Sequence, residues 1–192
     1  MTAALTSCGS DTQASSAEGS GGDRVPVTAR VLALVAAEHA GTPDSAERER
    51  DAAEELTSGG VGAELRYGSD GEYDGDLLVV AVGTGLDEAM VDCDAEATEF
   101  LAGCVRTDQG TLLWEAEAPE EDPGVVYVAV DKGESAALLF YAGPAITGDP
   151  RDLGMPISTE TLFAIANDPR VDVTTPGETV DAAADLPFWR AG

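Results

Sequence analysis

Residues 125–142 read Val125-Val126-Tyr127-Val128-Ala129-Val130-Asp131-Lys132-Gly133-Glu134-Ser135-Ala136-Ala137-Leu138-Leu139-Phe140-Tyr141-Ala142. Two runs rich in Val, Leu and aromatic residues flank Lys132-Gly133-Glu134, the pattern of a β-hairpin closed by a glycine-containing turn. The same pattern recurs upstream, where residues 105–107 and 112–117 lie on either side of Asp108-Gln109-Gly110. In that second hairpin the alternation directs Trp114 to the core beside Leu112 and Ala116. Further upstream, Ala63, Leu65 and Tyr67 alternate with Glu64 and Arg66, as in a half-buried strand, and residues 77–82 are apolar on both faces, as in a central one. These segments predict a meander of about six antiparallel strands.

Helical periodicity is confined to the flanks. Residues 27–40 place Val27, Val31, Leu34 and Val35 on one stripe behind a Thr28 cap, and Ser158 is placed to cap a helix carrying Leu162, Phe163, Ile165 and Ala166 that stops near Asn167-Asp168-Pro169. Residues 46–56 have helix-forming composition but hardly any apolar face, which suits a solvated helix or a loop. Residues 144–156 form a loop rich in Gly, Pro and Asp. A short strand over 171–174 and a tail with Phe188 and Trp189 close the chain. The expected class is α+β: an antiparallel sheet of about six strands with two or three helices packed on one face.

At 192 residues the chain holds one domain, read here as residues 25–192. It carries 37 Asp and Glu against 10 Lys and Arg, a formal charge of −27, which repels phosphate backbones and anionic headgroups. Nucleic acid is therefore not an expected partner, and neither is electrostatic docking on a membrane. Residues 1–8 end in Leu5-Thr6-Ser7-Cys8, the form of a bacterial lipobox, in which Cys8 would carry a diacylglyceryl thioether and hold the protein to a membrane through its acyl chains. Only seven residues precede Cys8, with no basic segment and only a fragment of an apolar one, so the natural start is expected upstream of Met1. Residues 9–24 are small and polar, a flexible spacer spanning on the order of 20–24 Å. With Cys8 as the lipid site, Cys93 and Cys104 remain as one pair, and a disulfide between them suits an extracytoplasmic location on the outer face of the membrane. The alternative is an acidic cytoplasmic protein with free thiols.

Residues 60–185 resemble a group of uncharacterised lipoproteins and secreted proteins of high-GC Gram-positive bacteria. The resemblance is carried by Ala63-Glu64-Leu65-Arg66-Tyr67, Gly71-Glu72-Tyr73-Asp74-Gly75-Asp76-Leu77-Leu78, Glu121-Asp122-Pro123-Gly124-Val125-Val126 and Tyr141-Ala142-Gly143-Pro144-Ala145-Ile146-Thr147-Gly148-Asp149-Pro150-Arg151. It implies a lipid-anchored protein and transfers no catalytic residue. Nine arginines to one lysine agree with a GC-rich genome.

Chemistry-bearing patterns are sparse. Asp70, Glu72, Asp74 and Asp76, with Gly75 in sixth place, mimic the opening of a calcium loop, but the twelfth position is Ala81 and a strand follows where a helix should leave. They read as an acidic turn or a weak Ca²⁺ site. Asp87, Glu88, Asp92, Asp94 and Glu96 form a second acidic cluster around Cys93. One histidine, His39, sits in an Ala-rich helix and offers little for a triad or a zinc site. No nucleophile elbow, P-loop, dinucleotide fingerprint or C-x-x-C occurs. Trp114, Trp189, Phe188 and Tyr73 are read as core and tail packing, with a stacking platform for a sugar as the alternative. No cofactor is expected, and the function read from these features is a non-enzymatic binding or accessory module of the cell envelope. The alternatives are a divalent-cation-binding protein or a hydrolase built on acidic residues.

So many like charges repel one another in the folded state. The midpoint of thermal unfolding is expected to rise as NaCl shortens the screening length from about 30 Å at 0.01 M to about 3 Å at 1 M. A flat or falling midpoint in calorimetry would mean that the acids are already paired or metal-bound.

Overall fold

In the computed structural model, the described residues are 23–51, 60–68, 75–86, 90, 92–94, 101–118 and 123–190. The fold is α+β. Seven strands form one antiparallel sheet in the order β2-β3-β4-β8-β7-β6-β5, and β1 with β9 forms a separate two-stranded ladder. The strands are β1 Arg24–Pro26, β2 Ser45–Glu49, β3 Val61–Tyr67, β4 Asp76–Gly83, β5 Gly103–Thr107, β6 Gly110–Glu115, β7 Val125–Asp131, β8 Ala136–Ala142 and β9 Thr174–Pro176. The described residues also form helices α1 (Ala29–Ala40), α2 (Thr159–Asn167) and the short α3 (Gly177–Ala182), with a 3₁₀ turn at Pro150–Asp152.

The sheet consists of two meanders joined where β4 pairs with β8, from Leu77 opposite Ala142 to Gly83 opposite Ala136. Strand alternation then sorts side chains by face. Leu78, Val80, Val82, Leu112, Trp114, Val126, Val128, Val130, Ala137, Leu139 and Tyr141 all join the main core. Above that face lie α1, against β2, β3 and β4, and α2, against β7 and β8. Both helices start as their caps dictate, with the Thr28 hydroxyl accepting from the Val31 amide and the Ser158 hydroxyl from the Thr161 amide. On the opposite face Leu113, Ala129 and Leu138 form a small second cluster, covered by Leu86, Met90 and Leu101 of the β4–β5 connection. Val79 and Ala81 of β4, on this second face, are buried as well.

Several details differ from the sequence reading. Residues 45–49, Ser-Ala-Glu-Arg-Glu, form edge strand β2 rather than the start of a helix. Pairing with β3 decides this, because Ala46 opposite Leu65 and Arg48 opposite Ala63 supply ladder bonds that outweigh local helix propensity. The outer side of β2 is closed by the tail, where the Ala46 amide donates to the Phe188 carbonyl at 2.8 Å and the Arg190 amide donates to the Ala46 carbonyl at 2.7 Å. The main sheet thus has seven strands rather than about six. The last strand is Thr174–Pro176 rather than 171–174, and it pairs with Arg24–Pro26, so Arg24 belongs to the folded domain and not to the spacer. The buried face of α1 is wider than the expected stripe, with Leu32, Ala33 and Ala36 fully buried and Leu34 only half-buried. Strand β6 ends at Glu115, so Ala116 is exposed rather than beside Trp114 in the core.

Trp114 is 8% exposed and lies against Gly103, its partner in the β5–β6 register. A Cβ on Gly103 would meet the indole ring at 1.9 Å, inside any allowed contact. Gly103→Ala is expected to cost about 1–3 kcal/mol of unfolding free energy, because a buried indole held from below has little room to retreat. Urea unfolding checks this, and an unchanged midpoint would contradict the packing.

Candidate functional site

A groove of about 510 Å³ opens where the start of α1, the β2 edge, α3 and the C-terminal tail meet. Its walls are Val27 and Ala29, Val61 of β3, Val180 of α3 and the ring of Trp189, so the lining is predominantly apolar. Two cations stand in it, Arg30 and Arg48. Arg30 is fixed in place: its Nη1 donates to the Ala184 carbonyl at 2.7 Å, and its guanidinium lies 5.1 Å from the Trp189 ring centre, a cation–π contact. Arg48 is exposed, and its β2 position puts it on the same face as Ala46, which is 2% exposed in the main core. An arginine therefore continues a row of apolar positions, with its aliphatic stem suited to the groove wall and its charged end to the opening.

Of the seven other arginines, five meet carboxylates, while Arg50 and Arg190 form no ion pair among the described residues. Arg24 meets Asp172, Arg66 meets Glu64, Arg106 meets Asp92 and Asp94, Arg151 meets Asp149, and Arg170 meets both Glu38 and Asp168. Arg30 and Arg48 pair with no carboxylate among the described residues. Two cations that meet no described carboxylate, set around an apolar hollow, form the most ligand-like arrangement among the described residues.

The residues singled out from sequence have different surroundings. Cys93 and Cys104 are brought together, with sulfurs 2.00 Å apart, and tie the β4–β5 connection to edge strand β5. Cys8 lies outside the described residues, as do Asp70, Glu72 and Asp74 of the acidic turn and Asp87, Glu88 and Glu96 of the second cluster. Asp76 opens β4 and is already engaged, accepting from the Tyr141 hydroxyl at 2.5 Å. Burial and then this bond to a carboxylate raise the Tyr141 hydroxyl above its ordinary value. Asp92 and Asp94 face Arg106. Among the described residues no group of three His, Cys, Asp or Glu is placed to hold a metal ion. Tyr73 is outside the described residues, Trp114 is core, and Trp189 lines the groove. No described helix is long and apolar enough to cross a membrane.

Sequence reasoning missed one polar cluster. His39 Nε2 lies 3.0 Å from Asp168 Oδ2, Arg170 donates to both oxygens of the same carboxylate and reaches Glu38 at 2.7 Å, and Lys132 Nζ donates to the carbonyls of Asp168 and Val171. Burial acts to raise the Asp168 carboxyl, but the hydrogen bonds from Arg170 and His39 outweigh it and hold the group well below the usual carboxylate range. Burial also lowers the Lys132 ammonium, against the pull of Asp172 and Asp168. No hydroxyl or thiol among the described residues hydrogen-bonds to His39, so the dyad lacks a nucleophile. It is a clamp joining the ends of α1 and α2 to the β7–β8 turn.

Comparison with known protein families, with curated proteins and with solved structures finds no match for this chain.

The clamp has a pH signature. A carboxyl whose folded pKa is depressed contributes stability fully above the ordinary value of about 4, and that contribution disappears as pH falls toward the depressed value. Asp168→Asn is expected to cost about 1–3 kcal/mol at pH 7, with the difference from the parent shrinking below about pH 4. Paired unfolding curves across pH would show this; a pH-independent difference would mean that the loss is one of packing.

Proposed function

We propose that this chain is a lipid-anchored binding domain displayed on the outer face of the cell membrane. The observation that carries the reading is the pairing of Cys93 with Cys104, which leaves Cys8, the cysteine of the lipobox, as the remaining thiol of the three. A disulfide closing a short loop persists in oxidising compartments and is rare in the cytosol. The polar stretch over residues 9–23 supports the reading from a second direction, since it separates Cys8 from the first strand by a length that a tethered domain needs to clear the headgroups.

The experiment is the intact mass of the protein from its native host, with and without alkylation. A chain beginning at Cys8 with a diacylglyceryl adduct, whose Cys93 and Cys104 alkylate only after reduction, is the expected result. A chain retaining Met1 or Thr2 with three alkylatable thiols would overturn the reading. In the purified protein, Cys93→Ser with Cys104→Ser is expected to lower the unfolding free energy by about 2–3 kcal/mol, the chain-entropy value for a loop this short.

A further inference from the structure

We infer that the groove between α1, β2 and the tail is a binding site for a small amphipathic carboxylate, a ligand with an apolar body and one anionic head. The inference rests on reading the domain as a binding module and names what it binds. Two observations carry it. The first is the lining, aliphatic side chains plus the face of Trp189, in a hollow whose 510 Å³ falls within the range of small-molecule sites. Such walls favour a hydrocarbon or aryl body and offer nothing to a strongly hydrated one.

The second is charge. Arg30 and Arg48 are the cations of the groove, and no described carboxylate neutralises either one, although acids outnumber bases by 37 to 10 in the whole chain. A guanidinium presents a planar fork of N–H donors that fits a carboxylate with two parallel bonds. Arg30 is preorganised for this by its bond to Ala184 and its stacking on Trp189, so little freedom remains to be lost on binding. Thr28, Ala29 and Arg30 also bring the N-terminal end of α1 to the groove, where the helix dipole favours negative charge. A neutral amphiphile would leave both guanidinium groups without a counter-charge, and a cationic one would be repelled by them.

The test is calorimetric titration of the full chain with decanoate, decanol and decyltrimethylammonium, followed in parallel by Trp fluorescence. Decanoate is expected to bind one to one, with decanol weaker by about tenfold or more, the loss of one good charged contact. Arg48→Gln, at an exposed side chain without a described partner, should weaken decanoate by about tenfold while leaving decanol unchanged. Ala184→Trp fills the groove from an exposed position and should abolish binding with the unfolding midpoint retained. Equal affinity for decanol and decanoate, undiminished decanoate binding in both variants, or no saturable binding up to about 1 mM would each overturn the assignment. None of these results touches the mass of the native N-terminus, so failure of the groove and failure of the tether are separately visible.

Discussion

The antiparallel register of β4 on β8 is the constraint on which the rest of the molecule depends. Each of these strands ends a meander, and no other pairing connects β2-β3-β4 with β5-β6-β7-β8. Because side chains alternate, a slip of one residue would turn Leu78, Val80 and Val82, or Ala137, Leu139 and Tyr141, away from the helices. The register also aligns Asp76 with the Tyr141 hydroxyl at the sheet's end, where a Cβ on Gly143 would strike the Asp76 carboxylate at 2.2 Å. A polar bond and a close backbone approach therefore reinforce the position that the apolar pairs select. Helices α1 and α2 then have a continuous apolar floor to pack on.

The connection between the two meanders leaves from the centre of the sheet and returns at its far edge, β5. Such a path is long, and its described residues serve as a partial cover for the second face through Leu86, Met90 and Leu101. The Cys93–Cys104 bond fixes this cover to β5, which has β6 as its one neighbour in the sheet. Tyr127 and Phe140 on the same face meet edge to face at 5.5 Å, and Tyr127 donates to Glu115. The larger core depends on helices and the smaller on a covalent tie.

Much of this was legible where the information is local. The hairpin over residues 125–142, the Ser158 cap and the central character of residues 77–82 follow from turn chemistry and period alone. What escaped is non-local. Ser45–Glu49 carries a helix-like composition and becomes a strand only because β3 and the tail flank it. The β1–β9 ladder joins Arg24 to Pro176, and the clamp joins His39 to Asp168, at separations where sequence pattern carries no signal. The groove has the same cause, since its walls run from Val27 to Trp189. A sequence clue to it did exist: in β2 the alternation that buries Ala46 places Arg48 on the same face, and a cation continuing an apolar row marks a position that the core does not claim.

The β1–β9 ladder has a mechanical consequence. Any force applied to the chain ahead of the domain enters at β1, whose three residues lie opposite Thr174–Pro176 and whose Arg24 side chain bonds Asp172 and Thr174. Load is thus passed at once to a strand close to the opposite end of the sequence, and α1 is not the first element to feel it. Should the ladder open, the next segment to be drawn out is Val27 and Thr28, the wall of the groove. Tension from the N-terminal side and filling of the groove would therefore act on the same short stretch of backbone, so a molecule that grips that wall would also stiffen the domain against being pulled apart.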